Sequence, residues 1–295
     1  MTQHDHVNRP PWIRGKLTMD ATSCLMAKLA RERSINSVCV EAACPNRGEC
    51  WARGHVTFLI LGRVCTRNCD FCNVEKGKPE AVDPDEPREV ARFVKDTDAR
   101  YVVITSVTRD DLDDMGAGHF INTVRSVKGT VPDSIVELLV PDMRARKDLI
   151  ADIARSGAAV IGHNIEMPEV LYPEIRPGSS YVRSITALSC LADERDAGAD
   201  ILVKSSIVVG LGEEESDIVR TFRDLRNAGV DILFIGQYLS PSRDHRPVAR
   251  FYSPEEFEEL GNTARDMGFG YVASGPMVRS SFRAEDAYLA LSVIQ

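Results

Sequence analysis

Cysteines are crowded into one part of this chain. Six of the eight fall between Cys39 and Cys72, in two groups of three: Cys39-x4-Cys44-x5-Cys50 and Cys65-x3-Cys69-x2-Cys72. Each group offers three soft thiolates, the ligand type that selects iron–sulfur clusters, zinc or cuprous copper. A complete structural zinc site takes four ligands, commonly in paired C-x2-C units. Three thiolates without an evident fourth fit better to an iron–sulfur cube with one iron left open for chemistry. Cys24 and Cys190 match neither group. Both are expected in apolar packing, Cys24 on the apolar face of a helix.

Such a site needs a scaffold, and one is legible downstream. Short apolar runs rich in β-branched residues occur at residues 57–61, 101–105, 135–140, 158–163, 201–209, 232–237 and 271–273. Between them, stretches 87–95, 117–128, 146–156, 185–197, 216–227 and 254–267 carry helical periodicity. Alternation of this kind predicts repeated β-α units and a parallel sheet. Six units are too few for a closed eight-fold barrel, so the expected fold is α/β, a partial (β/α)6 barrel. A flat doubly wound sheet is less favoured, because no Gly-rich dinucleotide loop follows the first strand. The loop there carries Cys65, Cys69 and Cys72, at the strand end where α/β proteins place their chemistry. Polar residues at Thr105-Ser106, His163–Glu166, Lys204–Ser206 and Gln237-Tyr238 are expected to converge on the same mouth. Upstream, residues 1–20 look irregular around Arg9-Pro10-Pro11-Trp12. A helix is expected near Asp20–Arg33, with Leu25, Met26 and Leu29 on one face, and then a loop as far as Cys50.

Composition narrows the classes further. A net charge of −8 argues against an extended nucleic-acid surface. No apolar run approaches the ~20 residues of a membrane span, and the first residues lack a secretory or transit pattern. The expected location is cytoplasmic, where thiols stay reduced and clustered cysteines signal metal or catalysis rather than disulfides. Residues 1–70 carry ten Lys or Arg against six Asp or Glu, so that segment is +4 and the remainder −12. A basic N-terminal part could receive an acidic partner; scattered solvated charge is the alternative.

Cys65-x3-Cys69-x2-Cys72, with Phe71 before the last cysteine, resembles the signature of the radical S-adenosylmethionine (SAM) superfamily. The first triplet, in CVEAACPNRGECW, resembles the auxiliary-cluster motif of the lipoyl synthase family. That resemblance extends over most of the chain, through RPPWIRGKL, YVVITSVTRDDL, LYPEIRPGSSY and IGQYLSPSRDHRPV to SGPMVRSSF. It implies two [4Fe–4S] clusters. Cys65, Cys69 and Cys72 would hold the one that cleaves SAM to a 5′-deoxyadenosyl radical. Cys39, Cys44 and Cys50, with Ser281 of the Arg279–Phe282 motif as fourth ligand, would hold the one that donates sulfur to carbons six and eight of a protein-bound octanoyl group. Glu166, Lys204, Gly210 and Gly212 are the expected SAM contacts, the two charged residues being equally readable as an ion pair inside the barrel.

Implied partners are octanoylated lipoyl carrier domains (2-oxoacid dehydrogenase E2 subunits and the glycine cleavage H protein), a ferredoxin or flavodoxin as electron donor, and iron–sulfur carrier proteins. No nucleic-acid or membrane partner is implied. The expected organisation is an N-terminal extension over residues 1–54, the barrel over 55–274, and a C-terminal tail over 275–295 closing over the barrel mouth. Two positions depart from the family pattern: Phe282 replaces a common tyrosine, and Thr108 stands where an acidic residue is expected. Another radical sulfur-inserting enzyme, or a zinc-stabilised binding module, is the rival reading.

Overall fold

The computed structural model describes residues 9–14, 20–33, 35–42 and 44–292. Most of the irregular stretch expected over residues 1–20 lies outside them. The described chain opens with three helices, α1 (Ala21–Glu32), α2 (Val38–Glu41) and α3 (Arg47–Ala52). Then follow β1 (Val56–Ile60), a two-stranded ribbon of β2 (Val64–Cys65) and β3 (Glu75–Lys76), α4 (Glu86–Thr97), β4 (Tyr101–Ser106), α5 (Ala117–Thr130) and β5 (Ile135–Leu139). The later elements are α6 (Lys147–Ala154), β6 (Val160–Gly162), α7 (Tyr172–Ile175), α8 (Tyr181–Asp196), β7 (Leu202–Val209), α9 (Glu215–Asn227), β8 (Ile232–Gln237), α10 (Pro254–Asp266), β9 (Tyr271–Gly275) and α11 (Ala284–Ser292).

Seven strands form one sheet in the order β1-β4-β5-β6-β7-β8-β9, and every pairing is parallel. All seven apolar runs expected to be strands lie in it, joined by six helical connections. The strands are apolar on both faces because both are covered, as parallel sheets require. On the outer face, Phe93 of α4, Phe120 of α5, Phe222 of α9 and Phe257 of α10 are almost wholly buried in the main core. The inner face is filled by α11. Ala284 packs with Tyr101 and Val103 of β4, while Ala287 packs with Val160 of β6 and Ile232 and Phe234 of β8. One nine-residue helix reaches strands this far apart only if the sheet curls around it. The sheet is therefore an incomplete barrel, with β1 and β9 as its edges.

Both chain ends are gathered at that open side. Ser37 bridges to Phe58 antiparallel, the Leu59 amide donates to Asn36 O at 2.9 Å, and Ser37 Oγ donates to Thr57 O at 3.0 Å. The edge of β1 is thus covered by the segment leading into α2, which answers the hazard of an unpaired strand edge. From the far edge, the chain leaves β9 at the mouth end, turns at 276–283, and re-enters the barrel as α11. The expected tail is a turn beside the mouth plus a helix beneath it. The helical part of the tail plugs the barrel rather than lying over its mouth, since α11 is apolar on the side that meets the first residues of the strands.

Two local expectations are corrected. The cysteine segment before Cys50 is not all loop: Cys39 lies on α2, capped by Ser37, and Cys50 lies on α3. On α1, the Asp20 cap and its reciprocal bond with Ser23 set a phase that buries Ser23 and Met26, and Leu25 and Cys24 face solvent. Cys190 is buried in the core as expected.

Candidate active site

The loop carrying Cys65, Cys69 and Cys72 leaves β1 at the mouth and is pinched at its base by the ribbon. Val64 and Cys65 pair with Glu75 and Lys76, and the Gly77 amide donates to Cys65 O at 3.0 Å. Its middle is fastened from two sides. The Thr66 amide donates to Thr108 O at 3.1 Å, beyond β4, and the Asp70 amide donates to Ile175 O at 3.0 Å, at the end of α7. All three thiols are partly buried and lie within electrostatic reach of one another. Burial, and then the neighbouring Cys69 and Cys65, push the Cys72 thiol up to about 11. Burial also raises Cys69, against the pull of Arg176.

Arg67, inside the Cys65–Cys69 loop, anchors it to the barrel. Its guanidinium donates to Asp110 at 2.8 and 3.0 Å and to Asp142 at 2.9 and 2.8 Å, a fork on each side. Arg183 Nε adds a third donor to Asp142, at 2.9 Å. Burial opposes ionisation of Asp142, yet the hydrogen bonds and charge of Arg67 outweigh it and hold the carboxyl well below the usual range. Asp142 therefore contributes stability above the unfolded carboxylate pKa of about 3.9, and loses it as pH falls below that value. Asp142→Asn should lower stability at pH 7 by about 3–5 kcal/mol, the usual result of unpairing a buried charge. In urea unfolding followed from pH 7 to pH 3, the variant should show a shallower decline than the parent below about pH 4, the remainder coming from Asp110 and Asp111, which their arginine partners also hold low. An unchanged acid limb would show that Asp142 is not the group responsible.

Behind the thiols lies a charged pair of opposite sign. Arg176 is buried, donates to Tyr172 Oη at 2.7 Å and Ile165 O at 3.2 Å, and hydrogen-bonds the Cys69 thiol. Its Nε has no partner among the described residues. Glu166 faces both Arg176 and the thiols, with Asn164 Nδ2 donating to it at 3.1 Å. Burial raises its carboxyl and Arg176 lowers it, with burial winning. The backbone of Glu166 is held left-handed (φ 67°), its amide bonded to Ser206 O at 3.0 Å and its carbonyl to the Val208 amide at 2.8 Å. Strain of this kind is maintained where the surroundings over-determine it, often at ligand sites.

The other expected contacts are placed differently. Lys204 is the third residue of β7, not its end, and its Nζ donates to Glu137 at 2.7 Å, where Tyr101 also donates. It sits 4.2 Å from the centre of the Phe234 ring. Lys204 is thus given an ion pair inside the barrel, the other of the two readings open to it. Gly210 and Gly212 both have positive φ, at 102° and 109°. A Cβ on Gly210 would lie 2.2 Å from Gln237 Nε2, and the Gly210 and Leu211 amides are taken by the Glu213 carboxylate at 2.6 and 2.8 Å. This loop packs against Gln237, whose amide donates to Val209, Tyr238 and Arg250 carbonyls. His163 is likewise satisfied internally, between Val140 O at 2.8 Å and Ser184 Oγ at 3.0 Å, and burial lowers it to about 4.

The first triplet lies at the open side of the barrel. Cys39, Cys44 and Cys50 interact electrostatically, and burial, followed by the other two thiols, pushes Cys50 up to about 12. The turn carrying Ser281 is latched across them. Asn46 Nδ2 donates to Met277 O at 2.6 Å, Arg283 Nη2 to Glu49 at 2.8 Å, and His55 Nε2 meets Glu285 at 2.9 Å. Arg279 is half-buried beside Cys44, and Arg283 is within reach of the Cys50 thiol. The two triplets are joined directly: Asn73 Nδ2, one residue past Cys72, donates to Glu41 O at 2.7 Å, between Cys39 and Cys44.

Among the described residues, no three His, Cys, Asp or Glu side chains are close enough to hold a single metal ion. A cube that bonds each thiolate to a different iron takes a wider triplet. Both triplets suit such a group in another respect. Burial raises the Cys44, Cys50, Cys69 and Cys72 thiols, and coordination to iron is what would deprotonate them.

An incomplete parallel barrel with a C-x3-C-x2-C loop after its first strand is the architecture of radical SAM enzymes. The profile of the radical SAM superfamily matches residues 59–225 of this chain, which belongs to that superfamily. Among solved structures, methylornithine synthase superposes with a TM-score of 0.52 at 14% identity, covering 94% of this chain and 90% of that one. The FeFe-hydrogenase maturase from Carboxydothermus hydrogenoformans gives 0.59 at 12%, covering 80% and 56%. At that identity the likeness is one of fold. Sequence relatives are much nearer. A lipoyl synthase of Caldicellulosiruptor bescii is 44% identical over 281 residues, 95% of this chain and 96% of its own. One of Rubrobacter xylanophilus is 46% identical over 278 residues, 94% and 86%. Within the superfamily, the chain belongs to the lipoyl synthase family.

Sequence reasoning missed Arg67, Asp110, Asp142, Arg176 and Asn73 as parts of the site. A basic residue inside the cysteine loop, with acids just past two strand ends, was the available signal for the Arg67 clamp. Nothing local pairs Arg176 with Cys69; the fold alone does.

Proposed function

We propose that this chain inserts two sulfur atoms into a protein-bound octanoyl group, at carbons six and eight, to form a lipoyl group. The observation that carries the reading is the junction of the two cysteine loops through Asn73 and Glu41, which sets two triplets side by side at one edge of the barrel. Cys65, Cys69 and Cys72 hold the first [4Fe–4S] cluster; Cys39, Cys44, Cys50 and Ser281 hold the second. When bound, the first cluster with SAM supplies a 5′-deoxyadenosyl radical and the second supplies sulfide.

The remaining work is done by the chain's own side chains. Arg176, with an N–H unused, takes the carboxylate of SAM, and Glu166 accepts from its N–H or O–H groups. The opposite charges of this pair match a zwitterionic amino-acid end and fix its orientation. Arg67 holds the cysteine loop at the mouth through Asp110 and Asp142. Asn73 keeps the two loops from separating, so that a carbon radical formed at one site meets the other before anything else. Arg279 and Arg283 place positive charge beside the second triplet, on either side of Ser281.

The partners that follow are octanoylated carrier domains, a one-electron reductant of the ferredoxin or flavodoxin kind, and a source of new clusters. An anaerobic assay with an octanoylated lysine peptide tests the reading. The expected product carries two added sulfur atoms, and an unchanged peptide in the presence of SAM cleavage would overturn it.

A further inference from the structure

On the outer side of the first triplet, α1 and the Cys44–Trp51 segment enclose an open groove of about 1040 Å³. We propose that this groove is the docking site of an acidic protein that delivers an iron–sulfur cluster to Cys39, Cys44 and Cys50, through an entrance separate from the barrel mouth. The proposal rests on the second cluster being held and consumed there, as argued above.

Charge is the first support. Arg31, Arg47 and Arg63 all line the groove and are all exposed. None of the three forms an ion pair among the described residues; Arg47 stacks over the Trp51 ring at 5.7 Å. Glu41 is the acid in the same wall. Unopposed guanidinium groups around one hollow complement an acidic partner and speed its encounter. The surface is also incomplete in itself. Val40 is 45% exposed in the wall, and the buried Trp51 indole N–H has no acceptor among the described residues.

Position decides which acidic partner. Cys44 lines the groove, but Cys65, Cys69, Cys72, Glu166 and Arg176 do not. An octanoyl group must reach both triplets, so its carrier gains nothing by docking here. A cluster donor needs only the first triplet. Because each product carries away sulfur, that triplet must be refilled for every further turnover. Transfer is thiolate exchange without redox change. Each iron–sulfur bond to the donor is replaced by one to Cys39, Cys44 or Cys50, or by an iron–oxygen bond to Ser281; each incoming thiol or hydroxyl releases a proton and each departing thiolate takes one up.

The test uses cluster-free full-length protein, parent and the Arg31→Glu, Arg63→Glu double variant, neither residue touching the site. Refilling is followed as bound iron and visible absorbance. One arm uses ferrous iron with sulfide, the other an acidic [4Fe–4S] carrier protein. Both proteins should take up two cubes equally from free iron and sulfide, while from the carrier the variant's loading of Cys39, Cys44 and Cys50 should slow by about tenfold or more at low salt, with loading of Cys65, Cys69 and Cys72 as in the parent. Equal rates from the carrier would overturn the proposal. So would unchanged refilling with weakened binding of an octanoylated acidic domain, which would assign the groove to the substrate carrier. Uptake of only one cube by the parent in both arms would remove the two-cluster reading and this proposal with it, and failure of the free-iron arm distinguishes that case.

Discussion

Cys69→Ala should abolish 5′-deoxyadenosine formation and, with two cubes bound by the parent, lower bound iron from about eight per chain to about four, the content of one cube. The geometry explains why no other group substitutes. Cys69 is the thiol held by Arg176, and its neighbours in the loop are committed: Thr66 to Thr108, Arg67 to Asp110 and Asp142, Asp70 to Ile175. The loop cannot slide another donor into place without breaking a buried ion pair. Losing one small partly buried side chain leaves the fold intact, so circular dichroism should match the parent. The four irons that remain should belong to the first triplet. Undiminished 5′-deoxyadenosine production would assign the radical chemistry elsewhere, and full loss of iron would mean that the two triplets do not load independently.

Ser281→Ala should separate the two halves of the reaction. SAM cleavage persists, and conversion of an octanoylated peptide falls at least about 10–100-fold, the range seen when support around a metal centre is removed. Ser281 lies on a turn held by Asn46, Glu49 and His55, between one arginine beside Cys44 and another beside Cys50. An oxygen donor suits a sulfide-rich iron site less well than thiolate and can leave by protonation. On the proposed ligand set, this oxygen would mark where the cube opens to release sulfur. A Ser281→Cys variant replaces that ligand by a tighter one, and should keep its iron while making less product. Full lipoyl formation by Ser281→Ala would remove Ser281 from the ligand set; loss of SAM cleavage would show that the turn supports the other site instead.

How much of this could be read beforehand depends on the range of the interaction involved. All seven strands were visible because runs such as Tyr101–Thr105 are buried on both faces and so are apolar throughout. The six helices between them were visible because each packs one stripe on the sheet. On α1 the same reasoning placed Met26 and Leu29 against the core but misplaced Leu25 and Cys24. Its four small apolar residues leave the phase undecided, and the Asp20 cap turned Cys24 and Leu25 outward. Lys204 was legible as a polar residue in a β-rich run, but its level in the barrel was not. Lys204 pairs with Gly162, which pairs with Leu139, two residues beyond Glu137, and the long lysine side chain spans that step to the carboxylate.

Spacing within the sequence determined what the chain could bind, because three cysteines within eight residues must share one loop whatever surrounds them, and the order of strands and helices determined the class of scaffold beneath it. The fold alone decided which charges face those thiols and which turn covers the other triplet. Arg176 and Glu166 come from beyond β6, and Ser281 from beyond β9. Such meetings are set by sheet register and by curling around α11, and neither leaves a local trace in the order of residues.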